Sequence, residues 1–133
     1  MYPLEADHYE RAVQPTLLIN AGRWQWDDNI KKMHRLNQDT ALRLVYTLRD
    51  GVHQTFTDFP FLVGPFFGKR FNLQGETEVE TSMEAIVEIS VSFLRRVHEN
   101  NTVQSAINQL VEQKYSKFVI EGFDRDFSGE DIK

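Results

Sequence analysis

The segment that decides the predicted fold runs from Leu44 to Phe56 and reads LVYTLRDGVHQTF. Side chains on either side of its central Asp50-Gly51 pair alternate between two faces, and both arms are rich in β-branched and aromatic residues, which favour strands. An Asp-Gly pair suits the two positive φ angles of a type I′ turn, whose twist matches that of paired strands. The segment therefore predicts a β-hairpin, with His53 as an exposed cross-strand residue of the second arm.

The sequence after the hairpin predicts two more strands and then a helix. Residues 76–81 alternate glutamate with threonine and valine, which is typical of an edge strand protected by charge. Residues 87–93 alternate apolar and polar side chains and favour a longer strand, although the apolar residues in 83–97 also fit helical spacing. The apolar stripe over residues 103–111 predicts an amphipathic helix, and residues 117–121 favour a last strand.

Short helices are predicted in the first forty residues. Asp7 and Glu10 have the spacing of a capping box, which predicts a helix just after them. Asp27 and Asp28 offer a second helix start, and Asp39 a third. This part of the chain is therefore expected to be helical.

These elements predict an α+β fold, with a mostly antiparallel sheet and helices packed on one face. At 133 residues the chain fits one domain, because chains divide into several only near roughly 250–300 residues. The expected division of that single domain, residues 1–133, is a helical part (1–40), the hairpin with an apolar loop and strands (41–99), a helix and possible last strand (100–122), and a polar tail (123–133).

Composition excludes several classes of protein. The chain has no cysteine, which excludes disulfides, thiolate nucleophiles and the usual structural zinc sites. Its net charge of −5 argues against a broad nucleic-acid-binding face. The acidic first residues do not resemble a signal peptide, and no run approaches the roughly 20 apolar residues that span a bilayer. We therefore expect a cytoplasmic protein or a virion component, with no membrane contact.

Residues 59–71, FPFLVGPFFGKRF, hold five of the ten phenylalanines of the chain. Two prolines and two glycines argue against a long helix or a central strand, so the segment is predicted to be an ordered apolar loop. Aromatic residues and arginine are enriched at protein interfaces. The loop is therefore predicted to be a contact surface formed by Phe59, Phe61, Phe66, Phe67, Lys69, Arg70 and Phe71.

No motif for catalysis or cofactor binding is found in the sequence. Gly-x-Ser-x-Gly and Ser-x-x-Lys are both absent, and the glycine-rich segment before Lys69 fails the phosphate-loop spacing at Arg70. Four histidines are scattered without a pairing motif. The sequence thus predicts no catalytic residue, no metal ligand and no cofactor.

The function predicted from these features is that of a non-enzymatic assembly protein, oligomeric with itself or bound to another protein. The strand–turn–helix pattern predicted over residues 85–112 resembles small ring-forming proteins of phage tails and necks, which implies a virion component. One alternative is a small enzyme or ligand-binding domain whose pocket is lined by Trp24, Trp26 and the loop phenylalanines. Another is a nucleic-acid accessory protein that uses Lys69 and Arg70, although nucleic acid is not the expected partner.

Overall fold

A computed structural model describes residues 11–34, 41–71, 73–99 and 102–124. It is a small mixed α/β structure with one three-stranded sheet, made of β1 (Thr16–Ala21), β2 (Arg43–Leu48) and β3 (Val119–Glu121) in that spatial order. β1 and β2 are parallel over six residue pairs, whereas β2 and β3 are antiparallel over three. The prediction of a mostly antiparallel sheet is wrong, because the longest pairing joins two strands connected by a crossover helix.

Within the described residues, four helices accompany the sheet. They are α1 (Asp27–His34), α2 (Phe59–Arg70), α3 (Val79–Arg96) and α4 (Val103–Leu110), with 3₁₀ turns at Gly22–Trp24 and His53–Phe56 and a π-helical turn at Val111–Tyr115.

The predicted hairpin at Asp50-Gly51 is not formed. Gly51 N–H donates to Leu48 O (3.0 Å), which closes a turn over Arg49 and Asp50, and the chain continues into the 3₁₀ turn His53–Phe56. Among the described glycines only Gly64 and Gly122 have positive φ, so Gly51 lacks the conformation of a type I′ turn. Both edges of β2 are occupied, by β1 and by β3, which leaves no edge for a second arm.

The predicted apolar loop is the helix α2. Pro60 lies in its first turn, where a missing amide costs nothing. Gly64 interrupts the helix with φ 71° and ψ 164°, a positive φ that glycine adopts without strain. The helix therefore accommodates Pro60 in its first turn and Gly64 at an internal break.

The two strands predicted over 76–81 and 87–93 are wrong. The chain forms a loop over residues 76–78 and then α3, whose residues Ala85, Ile89 and Phe93 are spaced by four and buried on one helix face. Helical spacing prevails over strand alternation because this face packs on the sheet.

Three other predicted elements are confirmed by the structure: a helix after Asp27, a helix after residue 102 and a last strand before Gly122. Residues 16–21, in the part expected to be helical, form β1. The predicted helix start at Asp7 and Glu10, the predicted cap at Asp39 and the tail beyond Asp124 lie outside the described residues.

The core lies between β2 and the helices α3 and α4. Leu44, Tyr46 and Leu48 point to one face of β2 and pack in one cluster with α3 and α4 residues such as Ile89 and Ile107. The Tyr46 hydroxyl donates to Asn108 Oδ1 on α4 (2.5 Å). Burial and the nearby Glu121 carboxylate raise the pKa of Tyr46. The strand that leads to the site described below is thus fixed from one side by apolar packing and a buried hydrogen bond.

A hydrogen-bonded group of Glu88, Lys114 and Tyr115, named the lock, joins α3 to the π-helical turn. It makes the stability of the fold depend on pH. Glu88 accepts hydrogen bonds from Lys114 Nζ (2.8 Å) and from the Tyr115 hydroxyl (2.9 Å), and these two bonds lower the pKa of Glu88. A carboxylate with a lowered folded-state pKa stabilises the fold above its unfolded-state pKa, and this stabilisation is lost as the pH falls through the folded-state pKa.

We therefore expect the difference in free energy of unfolding between wild type and Glu88→Gln to be constant from about pH 6 to 8 and to shrink below about pH 4.5. Urea unfolding followed by circular dichroism measures it. Glu112→Gln, which exchanges an exposed glutamate of the same π-helical turn, is the control and should leave the pH dependence unchanged. A difference that persists unchanged at pH 3 would contradict the lock.

Candidate functional site

The candidate site lies at the carboxyl edge of the parallel strand pair. β1 ends at Ala21 and runs into the 3₁₀ turn Gly22–Trp24, and β2 ends at Leu48 and runs through a tight turn to His53. Because parallel strands end at the same edge of a sheet, these two connections lie side by side. In open α/β sheets this edge is where ligands bind.

Three rings meet at that edge. The Trp24 and Trp26 rings pack edge to face with centroids 4.7 Å apart, and the His53 imidazole lies 5.0 Å from the Trp24 ring at an interplanar angle of 32°. Trp24 and Trp26 are each about half exposed, and His53 is exposed as well. An imidazole held on one side by an aromatic ring and open on the other can exchange a proton with a bound ligand, which is the usual role of histidine in catalysis.

The other described histidines lie elsewhere. His34 ends α1 and its ring lies 4.9 Å from that of Phe123, beyond the end of β3. Since β3 runs antiparallel to β2, and Gly122 N–H donates to Val45 O (2.8 Å), this contact is near the amino half of β2. His98 lies in the turn that follows α3. Among residues 11–34, 41–71, 73–99 and 102–124, His53 is therefore the one histidine at the carboxyl edge.

A buried polar chain fixes the segment that carries the tryptophans. Gln25, between the two indoles, is buried and its Nε2 donates to Thr47 Oγ1 (3.2 Å). Thr47 Oγ1 in turn donates to Gly122 O (2.7 Å). These bonds tie the Trp24–Trp26 segment to β2 and β3, so the indoles keep their position at the mouth of the site.

The turn that carries His53 is held from two sides. Gly22 packs so closely on it that an added Cβ would overlap the Arg49 carbonyl oxygen, and Arg23 N–H donates to Gly51 O (3.0 Å). Gly75 approaches the backbone of Asp50 equally closely. Glycine is required at positions 22 and 75 because of this close approach of backbones.

The predicted contact residues lie on α2 and at its C-cap Phe71, shortly after the 3₁₀ turn His53–Phe56. The phenylalanines at 59, 61, 66, 67 and 71 are exposed, with Phe66 the most exposed at 77%. Phe67 packs against both Phe66 (5.4 Å) and Phe71 (6.3 Å). Lys69 pairs with Glu78 (3.6 Å), and Arg70 is exposed. Phe59 and Phe61 lie before the break at Gly64, and the other residues of this set lie after it. Contact of these residues with a partner stays a prediction.

The predicted pocket of tryptophans and phenylalanines forms as two separate sets of rings. Trp24 and Trp26 pack on each other and on His53, whereas the phenylalanine rings that touch are those of α2. Sequence reasoning selected the two indoles but placed His53 on a hairpin arm. The missed signal was the order of β1, α1 and β2, which predicts a parallel pair with its connections at one edge.

The described residues contain neither a metal-binding cluster nor a membrane-spanning helix. Within them, no group of three or more histidine, aspartate or glutamate side chains is arranged to hold a metal ion. Two of the glutamates in residues 76–81 form ion pairs instead: Glu76 pairs with Arg23 (2.7 Å) and Glu78 with Lys69 (3.6 Å). The same part of the chain contains no helix that is both long and apolar enough to cross a membrane.

Comparisons with known proteins identify a family. The model of the family "Platelet-activating factor acetylhydrolase, isoform II" matches residues 1–118. Over 97 residues the chain is 36% identical to the platelet-activating factor acetylhydrolase of Gallus gallus. The aligned segment covers 72% of this chain and 23% of the relative. The enzyme of Canis lupus familiaris is 35% identical over 96 residues (72% and 22%), and that of Bos taurus 31% over 96 residues (72% and 22%). The matched segment thus spans less than a quarter of the relatives.

These relatives overturn the functional prediction made from the sequence. The chain was expected to be a non-enzymatic assembly protein, with a phage virion component as the specific form, but the proteins that it matches are named as hydrolases. The alternative of a small enzyme agrees better with them. The chain belongs to the platelet-activating factor acetylhydrolase isoform II family.

Proposed function

We propose that this chain forms part of a hydrolase that removes the acetyl group from platelet-activating factor or a similar acetylated lipid, with His53 as the general base. The observation that carries the proposal is the position of His53, exposed at the carboxyl edge of two parallel strands and packed on Trp24. The names of the relatives supply the reaction. Among the described histidines only this one has a position suited to proton transfer.

The chemistry asks for a base and a nucleophile. His53 takes the proton of a hydroxyl group as its oxygen attacks the acetyl carbonyl, and the imidazolium returns the proton to the lipid oxygen when the ester bond breaks. The acetyl group is then an ester of the nucleophile, and water deprotonated by the same imidazole cleaves this ester, which restores the hydroxyl group. One lipid ester and one water thus give acetate and the lipid alcohol.

The nucleophile is proposed to come from outside these 133 residues. They contain no Gly-x-Ser-x-Gly motif. In α/β-hydrolases the histidine follows the nucleophile and the acid along the chain, and here His53 follows a strand of a parallel pair. The matched relatives are more than four times as long as the matched segment, which leaves room for the other groups.

The exposed phenylalanines of α2 are proposed to contact the lipid. They begin three residues after the 3₁₀ turn that contains His53, so a lipid surface that touches α2 would lie beside the imidazole. Large exposed apolar patches mark interaction sites, and aromatic side chains with neighbouring cations suit the boundary of a lipid layer. Self-association, a cytoplasmic location and the single-domain division of the chain stay predictions.

Acetate release tests the proposed function. The protein to be assayed is the natural polypeptide that carries these 133 residues. It is incubated with platelet-activating factor, and acetate and the lipid alcohol are measured together. We expect both products in equal amounts and at a rate proportional to protein concentration. Release no faster than with heat-denatured protein would overturn the proposal.

A further inference from the structure

We infer that Asp50 is a positioning residue. Its carboxylate holds the turn Arg49–Val52, which leads to His53, against two neighbouring loops, and the turn with these two loops is named the clasp. The inference rests on the proposed role of His53, and it adds a residue that contacts neither substrate nor the reacting atoms. The clasp consists of the turn Arg49–Val52 and two walls, the 3₁₀ turn Gly22–Trp24 and the loop Gly75–Thr77.

The first wall comes from the connection after β1. Gly22 approaches the Arg49 carbonyl so closely that no side chain fits between them. The next residue, Arg23, donates its backbone N–H to Gly51 O (3.0 Å). Trp24 of the same wall carries the ring on which the His53 imidazole rests, so the distance between turn and wall sets the ring geometry.

The second wall precedes α3 and depends on Asp50. The Thr77 backbone N–H donates a hydrogen bond to Asp50 Oδ2. Gly75 packs against the backbone carbonyl and the carboxyl group of the same aspartate. A charged acceptor makes a stronger hydrogen bond to a backbone amide than a neutral one does, so this bond is the main polar tie of the second wall.

An ion pair closes the clasp on its outer side. Arg23 Nη2 of the first wall lies 2.7 Å from Glu76 Oε1 of the second, and both side chains are largely exposed. The pair therefore contributes little to stability. It nevertheless links the two walls directly, so the turn contacts two segments that are also joined to each other.

The clasp is needed because the ladder of β2 ends before the turn. β2 pairs with its neighbours only as far as Leu48, and Arg49 N–H makes one further bond, to Phe118 O (2.8 Å). His53 lies five residues beyond the end of the strand. Without Asp50 the turn can move away from the Gly22–Trp24 wall, and the imidazole moves with it. A misplacement of about 1 Å in a catalytic group can cost roughly 100-fold in rate.

The test compares Asp50→Ala with Asp50→Asn, which keeps an oxygen acceptor for the Thr77 amide. Asp58→Ala, the loss of an exposed carboxylate eight residues further on, is the matched control. Two readouts are taken: the NMR signals of the His53 ring, whose shifts depend on the facing Trp24 ring, and kcat and KM for acetate release. Circular dichroism checks that each variant is folded.

For Asp50→Ala we expect the His53 ring signals to move toward those of a free imidazole and kcat to fall about 10- to 100-fold, with KM within twofold. Asp50→Asn should stay within about threefold of wild type, and Asp58→Ala should match it. Unchanged His53 signals and kcat in folded Asp50→Ala would overturn the inference, as would equal losses in the alanine and asparagine variants.

Two further arms keep the result decisive. If Asp50→Ala does not fold, Glu76→Gln opens only the outer tie, and it is expected to move the same ring signals in the same direction by a smaller amount. No movement would then overturn the clasp. The ring signals need no substrate, so a moved ring in a protein whose wild type releases no acetate would support the clasp and contradict the proposed function.

Discussion

Replacing His53 with alanine is expected to lower acetyl-ester hydrolysis by the natural polypeptide about 10²- to 10⁴-fold, the range that a general base contributes. The imidazole is exposed and its described ring contact is with Trp24, so its removal should change the free energy of unfolding by no more than about 0.5 kcal/mol. The loss should appear in kcat, because the base acts in the transition state rather than in lipid binding. Initial rates of acetate release measure it.

The matched controls are the two other described histidines. His34→Ala and His98→Ala remove the same side chain at positions away from the carboxyl edge, and both should retain hydrolysis within about twofold of wild type. A His98 variant as impaired as the His53 variant would contradict the assignment. So would a His53→Ala protein with wild-type kcat.

The double variant Phe66→Ser/Phe67→Ser is expected to bind phosphatidylcholine vesicles about 10- to 100-fold more weakly than wild type. These neighbouring rings are 77% and 56% exposed, and their transfer into the lipid boundary would bury that area. Complete burial of a phenylalanine gives about 1.5–3 kcal/mol, and every 1.4 kcal/mol is a factor of ten in affinity. Co-sedimentation with vesicles over a range of lipid concentrations gives the partition coefficient.

Leu94→Ser is the matched control, because Leu94 is 69% exposed but lies on α3. It should bind vesicles like wild type. Equal loss in the Leu94 variant would show non-specific adsorption and contradict a lipid-facing α2. A wild-type dimer in light scattering that dissociates in the phenylalanine variant, without any vesicle binding, would assign α2 to self-association instead.

Local patterns in the sequence predicted the elements that depend on local interactions. The helix after Asp27 has its acidic first turn, and the helix after residue 102 has an apolar stripe that packs into the core. The hairpin at Asp50-Gly51 failed although its turn signal was strong. β2 pairs with β1, more than twenty residues earlier, and with β3, more than seventy residues later, and neither pairing is visible in a window around the turn.

Segment 83–97 shows how the core decides between two periods. Its apolar residues fit both strand alternation and helical spacing, and β-branched content favoured the strand. A strand would place Ala85, Ile89 and Phe93 on the same face as Val87 and Val91. The helix buries the first three and leaves the two valines exposed. Propensity is a weak guide where a sheet face needs a covering helix.

The candidate site was beyond local reasoning for the same reason. Trp24 and His53 are 29 residues apart, and only the parallel pairing of β1 with β2 brings their connections together. No short motif surrounds either residue. The family relation is carried by identities spread over about 97 residues, which a search for catalytic motifs does not detect.

Chemical rescue tests most directly whether His53 is the base of an acetyl hydrolase. His53→Gly leaves a space beside Trp24, and free imidazole added to the natural polypeptide with this substitution can occupy it. We predict that acetate release by His53→Gly rises with imidazole concentration and saturates. Acetate release by His98→Gly should not rise with imidazole, once hydrolysis by imidazole alone, measured with denatured protein, is subtracted. A His53→Gly protein that keeps wild-type hydrolysis without imidazole, or that gains nothing from it above the background rate, would contradict the account.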